Sequence, residues 1–387
     1  MLVIKDSDVL LASGFERCDI GVQCARTGAG IRLDPPAGSV RRVLDATGLL
    51  TLPGAIDIHG DAFERQIMPR PNVRFDTNVA LRDTDRQLAA NGVTTAFHGL
   101  TWSWEPGFRG AGSARTFVDA VESVRPQCLV DHRIHLRQET FNLDAEDEII
   151  SWMQHRKIDM LAFNDHLTGT IKVRHRPEKI GDMMRRTGLK EEAFLALVDQ
   201  CASREHEVPA SIRRLAVAAK AANIPTLSHD DLDIETRNNF REMQVNIAEF
   251  PVTNEVAQAA SAAGDEIVFG APNVLRGGSH TNCPSAADMV RSGWCTILAS
   301  DYYYPALAQA PFVLEGKFGI PLATGWTLVS TNPARAAGFR DRGAISNEAR
   351  GDIVVMRRNG EGSAEVVATL CNGELVFLSD YRLLRSV

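Results

Sequence analysis

The stretch Ile56-Asp57-Ile58-His59-Gly60-Asp61-Ala62-Phe63-Glu64, entered through Leu52-Pro53-Gly54, decides the reading of this chain. Pro53-Gly54 reads as a turn, after which apolar Ile56 and Ile58 alternate with polar residues as in a strand. Residues two apart in a strand project from one face, so His59 and Asp61 stand where one divalent cation can take both. Alone, the pair also reads as ordinary polar residues closing a core strand. Four further strand-like segments downstream end in metal-ligand residues, and barrel sites are assembled from the ends of several strands. Together they make a site signature.

Outward from that segment, apolar runs alternate with helix-like stretches, the pattern of parallel βα units covered by helices. Eight strand candidates end near Asp61, His98, Glu139, His166, His229, Thr253, Asn273 and Asp301. Eight such units predict an α/β fold, a (β/α)8 TIM barrel over residues 51–344 with its chemistry at the carboxyl ends of the strands. The largest interruption is a helical insertion at about 172–222, placed between the fourth and fifth strands where a lid would sit. Residues 1–50 carry short β-prone pieces separated by Gly, Pro and Asp turns, and residues 345–387 repeat that texture, so both termini are expected to pair as one small sheet domain.

The strand ends supply the candidate ligands. In Ile134-His135-Leu136-Arg137-Gln138-Glu139 the alternation puts His135, Arg137 and Glu139 on one face. Glu139 there either holds or bridges cations or pairs with Arg137. His166, closing Met160 to Asp165, reads as a ligand or as a loop histidine. Thr226-Leu227-Ser228-His229-Asp230-Asp231 offers His229 as a ligand, with Asp230 placed to fix its other ring nitrogen. Asp301, at the end of Thr296 to Ser300, either caps the following helix or binds metal and takes a proton from water as general base. For an anionic substrate, Arg276 supplies a fork, Gly277-Gly278 lets backbone come close, and His280 lies on the same loop. Arg70, between Pro69 and Pro71, is a substrate clamp or a turn residue. Lys172, Arg174, His175, Arg176 and Lys179 read as an anion funnel or as a solvated helix face.

Composition narrows the class. With 387 residues, 44% hydrophobic and 24% charged, the chain has room for a barrel and an accessory domain. A formal charge of -7 with no basic tail argues against nucleic acid as a partner. Its seven cysteines are odd in number and form no Cys-x-x-Cys pair, which suits a reducing cytoplasm. Met1-Leu2-Val3-Ile4-Lys5-Asp6 lacks a signal-peptide pattern and no apolar run is long enough for a bilayer, so no membrane partner is expected. A homo-oligomer is neither implied nor excluded.

Leu52-Pro53-Gly54 through His59-x-Asp61, Pro69-Arg70-Pro71, His132-Arg133-Ile134-His135-Leu136-Arg137, Ser228-His229-Asp230-Asp231, Glu249-Phe250-Pro251, Gly270-Ala271-Pro272-Asn273, Arg276-Gly277-Gly278-Ser279-His280 and Ser300-Asp301-Tyr302-Tyr303 together resemble the amidohydrolase superfamily, and within it the phosphonate-metabolism branch. The resemblance spans nearly the whole chain. It implies a metal-bearing distorted barrel with a terminal β-sandwich, and hydrolysis of the triphosphate of a phosphorylated ribose phosphonate with release of pyrophosphate. The implied ligands are His59, Asp61, Glu139, His229 and Asp301, with His166, for one or two divalent ions, Zn first and Mn, Fe or Ni alongside. Arg70, Arg137 or Arg276 would hold phosphates. Asp165-His166-Leu167-Thr168-Gly169-Thr170 departs from the branch, where a Pro-Gly-Gln segment tends to follow Asp-His. Two other readings stand beside it: hydrolysis or deamination at carbon in a cyclic amide or ring, and a non-catalytic barrel that has lost its metal.

Overall fold

The computed structural model describes residues 1–23, 30–36, 38, 40–70, 73–279, 283–360 and 362–386. His280, Pro71 and the side chain of Lys179 lie outside what is described. Eight parallel strands form the barrel: β1 (Ala55–Gly60), β2 (Val93–Trp102), β3 (Asp131–Glu139), β4 (Met160–Asn164), β5 (Thr226–His229), β6 (Ile247–Glu249), β7 (Glu266–Gly270) and β8 (Ile297–Ala299). They pair in chain order. Every residue of β1, β2 and β4 is buried, as expected for strands covered on both faces.

The ring closes at its carboxyl end. Asp61 N donates to Asp301 O at 2.8 Å and Asp301 N donates to His59 O at 2.9 Å. Just below, the buried Asp57 carboxylate accepts from Ser300 N at 3.0 Å and Ser300 Oγ at 2.5 Å. A Cβ at Gly60 would stand 2.6 Å from Asp57 Oδ2, so this closure requires glycine. At the other end Ile56 N donates to Val329 O and Leu298 N to Leu328 O, so residues 328–329 wedge between β1 and β8. That wedge is the distortion.

Several strand ends differ from expectation. β2 continues to Trp102, which leaves His98 inside the strand, stacked on His132 and packed against Phe63 and Phe117. β6 stops at Glu249, and Thr253 instead caps the helix Asn254–Ala262, its hydroxyl accepting from Val256 N. β7 stops at Gly270, and Asn273 lies in the helix Ala271–Arg276. The expected insertion begins at the end of the helix Leu167–Val173 and contains the helices Pro177–Thr187 and Glu191–Ala202, and the three share an apolar core of Leu167, Ile180, Phe194 and Val198. The next helix, Val208–Ala221, packs on Glu146–Gln154 as part of the outer layer.

Both termini build the second, mostly antiparallel sheet. Among the described residues it has nine strands, with Leu2–Leu11 at its branch point. Residues 2–5 of that strand run parallel to Arg42–Asp45, and Asp8 and Val9 pair with Leu50 and Thr51. The change of partner falls at a bulge between Ile4 and Ser7, where Asp6 has φ 57°. Leu2, Ile4, Ile20 and Leu44 share one core with Ile353, Val355 and Leu370, so the two ends of the chain are held together by burial. Among the described residues no helix is long and apolar enough to cross a membrane.

Candidate active site

A cavity of about 240 Å³ opens at the carboxyl end of the barrel, lined by His59, Asp61, Arg137, His229, Asp230, Phe250, Arg276, Gly278, Asp301 and Tyr302 among others. Three of these non-glycine residues have left-handed backbone: Asp230 at φ 57°, Phe250 at 55° and Asp301 at 53°. Each follows closely on the end of β5, β6 or β8. Such conformations cost about 1 kcal/mol or more apiece and collect where side chains must be aimed.

The expected ligands fall into two groups. One ligand atom each from His59, Asp61 and Asp301 lie within 4.8 Å of one another, and the same holds for His166, His229 and Asp230. Glu139 belongs with the second group: it accepts from His166 Nδ1 at 2.5 Å and from His166 N at 3.1 Å. Arg137 therefore does not take Glu139 as its close partner. It lies 3.6 Å from Asp61 Oδ2 and donates to His229 Nε2 at 3.1 Å.

Glu249, at the end of β6, organises the centre and was not among the expected site residues. Fully buried, it accepts from His59 Nδ1 at 2.8 Å and from His229 Nδ1 at 2.7 Å. Asp230 was expected in that role, but its carboxylate stands 3.5 Å from His229 Nε2 on the opposite side of the ring. Phe250 meets both imidazoles edge to face, with ring centres 5.1 Å from His59 and 5.4 Å from His229. The only trace of this in the sequence is the carboxylate of Glu249-Phe250-Pro251 directly after Ile247-Ala248.

Charge follows from this packing. Burial raises the Glu249 carboxyl, yet His59 and His135 outweigh it and hold the group well below the carboxylate range. Burial lowers His59, and the charge of Glu249 reverses this so that its affinity for a proton rises. His229 is lowered by burial, with Arg137 adding to the effect. Burial pushes Asp301 up to about 6, against His59 and with help from the charge of Asp61. His135 donates from Nδ1 to Ile58 O at 2.8 Å, and burial lowers it to about 4.

These donors fit a divalent first-row cation, which is held by imidazole nitrogen and carboxylate oxygen. Two observations bear on the fit. Arg137 can only donate, so the His229 Nε2 it touches must carry a lone pair. A Cβ at position 99 would stand 3.3 Å from His59 Nε2, so glycine keeps that ring edge clear.

Among the expected anion contacts, Arg276 lines the cavity and donates to Tyr302 Oη at 3.3 Å. Gly278 also lines it, whereas Gly277 ends the helix Ala271–Arg276 with φ 78°. Arg70 is exposed and is not part of the lining. Among the described residues of 172–222, none lines this cavity, the described funnel residues Lys172, Arg174, His175 and Arg176 included.

A (β/α)8 barrel with histidines and carboxylates at its strand ends, flanked by a sheet from both termini, is the architecture that the resemblance read from the sequence implies. No protein-family model matches the chain. By sequence it is similar to α-D-ribose 1-methylphosphonate 5-triphosphate diphosphatase of Escherichia coli (strain K12), 28% identical over 329 residues that cover 81% of this chain and 85% of that protein. Solved structures of like fold include a triazine hydrolase variant (TM-score 0.62, 12% identity, 97% of this chain and 94% of that one). The D-hydantoinase of Bacillus sp. AR9 matches with TM-score 0.59 and 13% identity, over 100% of this chain and 97% of its own. The dihydropyrimidinase of Brevibacillus agri NCHU1002 matches with TM-score 0.58 and 15% identity, over 97% and 95%. At these identities the structural likeness is one of fold.

Proposed function

We propose that this protein is a metal-dependent hydrolase that cleaves the triphosphate of a ribose 1-phosphonate 5-triphosphate, releasing pyrophosphate. The observation that carries the reading is the 28% identity to the diphosphatase across 81% of the chain, joined to a strand-end cavity with two arginines in its wall. His59, Asp61 and Asp301 would hold one cation, and His166, His229 and Asp230 would be the candidates for a second, with Glu139 beside them on His166. A bound divalent ion supplies Lewis acidity, lowering the pKa of water and offsetting charge on a phosphoryl oxygen.

The chain's own groups do the rest. Arg137, buried beside Asp61, and Arg276, at the rim, each present a planar fork to phosphate oxygens and set the chain of phosphates in line. Asp301 is the carboxylate placed to take the proton of the attacking water at its side-chain oxygen. The closure hydrogen bonds to His59 and Asp61 hold its backbone, so the carboxylate has a fixed aim.

The test is a substrate panel with purified protein supplied with Zn2+ or Mn2+: ribose 1-methylphosphonate 5-triphosphate, nucleoside triphosphates, hydantoins and dihydropyrimidines. Pyrophosphate release from the phosphonate, at a kcat/KM well above that for nucleoside triphosphates, is expected. Ring opening with no phosphate release would replace the reading with hydrolysis at carbon.

A further inference from the structure

We propose that Glu249 is a positioning residue that sets the tautomer of two histidines at once, so that His59 and His229 both turn a lone pair on Nε2 toward the cavity; this rests on the metal-dependent reading above. A neutral imidazole carries one N–H, and the nitrogen that holds it cannot bind a cation. An ionised carboxylate only accepts. Glu249 Oε1 lies 2.8 Å from His59 Nδ1 and Oε2 lies 2.7 Å from His229 Nδ1, distances of charge-assisted hydrogen bonds, so both Nδ1 atoms carry the hydrogen. For His229 the other side of the ring gives an independent check, because Arg137 donates to its Nε2.

The framework makes this assignment rigid. His229 and Glu249 are register partners on β5 and β6, which brings the two side chains together on the lumen face. His59 reaches the same carboxylate from β1, across the barrel. Phe250, turned back by its left-handed backbone, packs on both rings and limits their rotation. Glu249 also falls within ligand range of His59 and His135. Both its oxygens are already taken by N–H groups, which argues for orienting the ligands over acting as one.

Glu249→Gln tests this with almost no change in volume. A glutamine offers one acceptor and one donor, so only one of the two histidines can keep its Nδ1–H bond while the other must move the hydrogen to Nε2. In wild-type protein stripped of metal, 15N spectra at a pH where the rings are neutral are expected to show both histidines as Nδ1–H. In E249Q one of them is expected to read as Nε2–H, and the affinity for Zn2+, measured by chelator competition, is expected to fall 10- to 100-fold, the usual loss when such a partner is removed. Wild-type binding with unchanged affinity in E249Q would overturn the proposal and leave the metal reading standing. Wild-type protein that binds no Zn2+ would overturn both. Should E249Q fail to fold, the wild-type spectrum still decides, since an Nε2–H on either ring contradicts the assignment.

Discussion

Arg237→Met tests how the framework behind His229 is held. Arg237 lies in the helix Ile234–Glu242 and is fully buried. It donates to Ser228 Oγ at 2.6 Å and to Asp231 Oδ2 at 3.2 Å, and reaches the carbonyls of Val245 and Ile247, so one guanidinium ties the β5 and β6 segments together. Methionine keeps much of the apolar stem and removes the charge. Asp265 retains Arg241 at 2.6 Å, which leaves Asp231 as the stranded group, 2% exposed. Removing one partner of a buried pair costs about 3–5 kcal/mol. A second route gives a similar figure: a carboxyl of ordinary pKa near 3.9 that escapes by taking a proton at pH 7 costs about 4 kcal/mol. With a melting entropy of roughly 2.1 cal/mol/K per residue over 387 residues, the melting temperature should fall by about 4–6 °C at pH 7. The sign with pH follows from the same route. The folded variant binds a proton the unfolded chain does not, so its deficit grows as pH rises and shrinks toward pH 5. Adding Asp231→Asn should recover most of the loss. Scanning calorimetry at pH 5 and pH 7 is the assay, and a deficit below 1 °C at pH 7, or one equal at both pH values, would refute the reasoning.

Three further outcomes are expected. Asp301→Asn should lower kcat by about 10²–10⁴ with melting temperature little changed, as loss of a general base does; a loss below threefold in steady-state assays would remove it from the proton step. Arg276→Ala, at the cavity rim, should raise KM for a triphosphate substrate about tenfold or more and leave metal content unchanged by elemental analysis. Asp131, at the start of β3, is held at about 2 because Arg133 and Arg342 overcome the burial that raises it. Its folded pKa is depressed, so about 2 kcal/mol of stability is present above pH 4 and is lost as pH falls toward 2. Acid titration of Asp131→Asn followed by circular dichroism should show that component missing.

Much of the architecture was legible because its signals are local. Pro53-Gly54 before Ile56-Asp57-Ile58-His59 marks where the chain leaves the terminal sheet and enters β1, and Ile353 to Leu370 carries the same β texture as residues 2–45. Alternation in Ile134 to Glu139 puts Arg137 and Glu139 on one face, as observed, but periodicity is silent on which neighbour each prefers. Glu139 turns to His166, and Arg137 to His229 and Asp61, because the distances across the lumen are set by barrel closure. Thr253 and Asn273 misled for a physical reason. Both sit just past a short strand: Thr253 caps a helix, and Asn273 lies in the first turn of one with its side chain bonded to Pro284 O and Ala286 N, and such residues have the same polar character as a strand-end ligand.

The sequence by itself determined the order of the elements, the eight-fold alternation, the pairing of the two ends and the residue types placed at the strand ends, since each depends on composition and spacing along a few residues. Only the tertiary structure decided that the ligand candidates divide into two groups and that Glu249 joins His59 to His229. Residues 59, 229 and 249 meet through parallel pairing and closure of β1 on β8, and contacts made across a closed barrel leave no period in the chain that builds it.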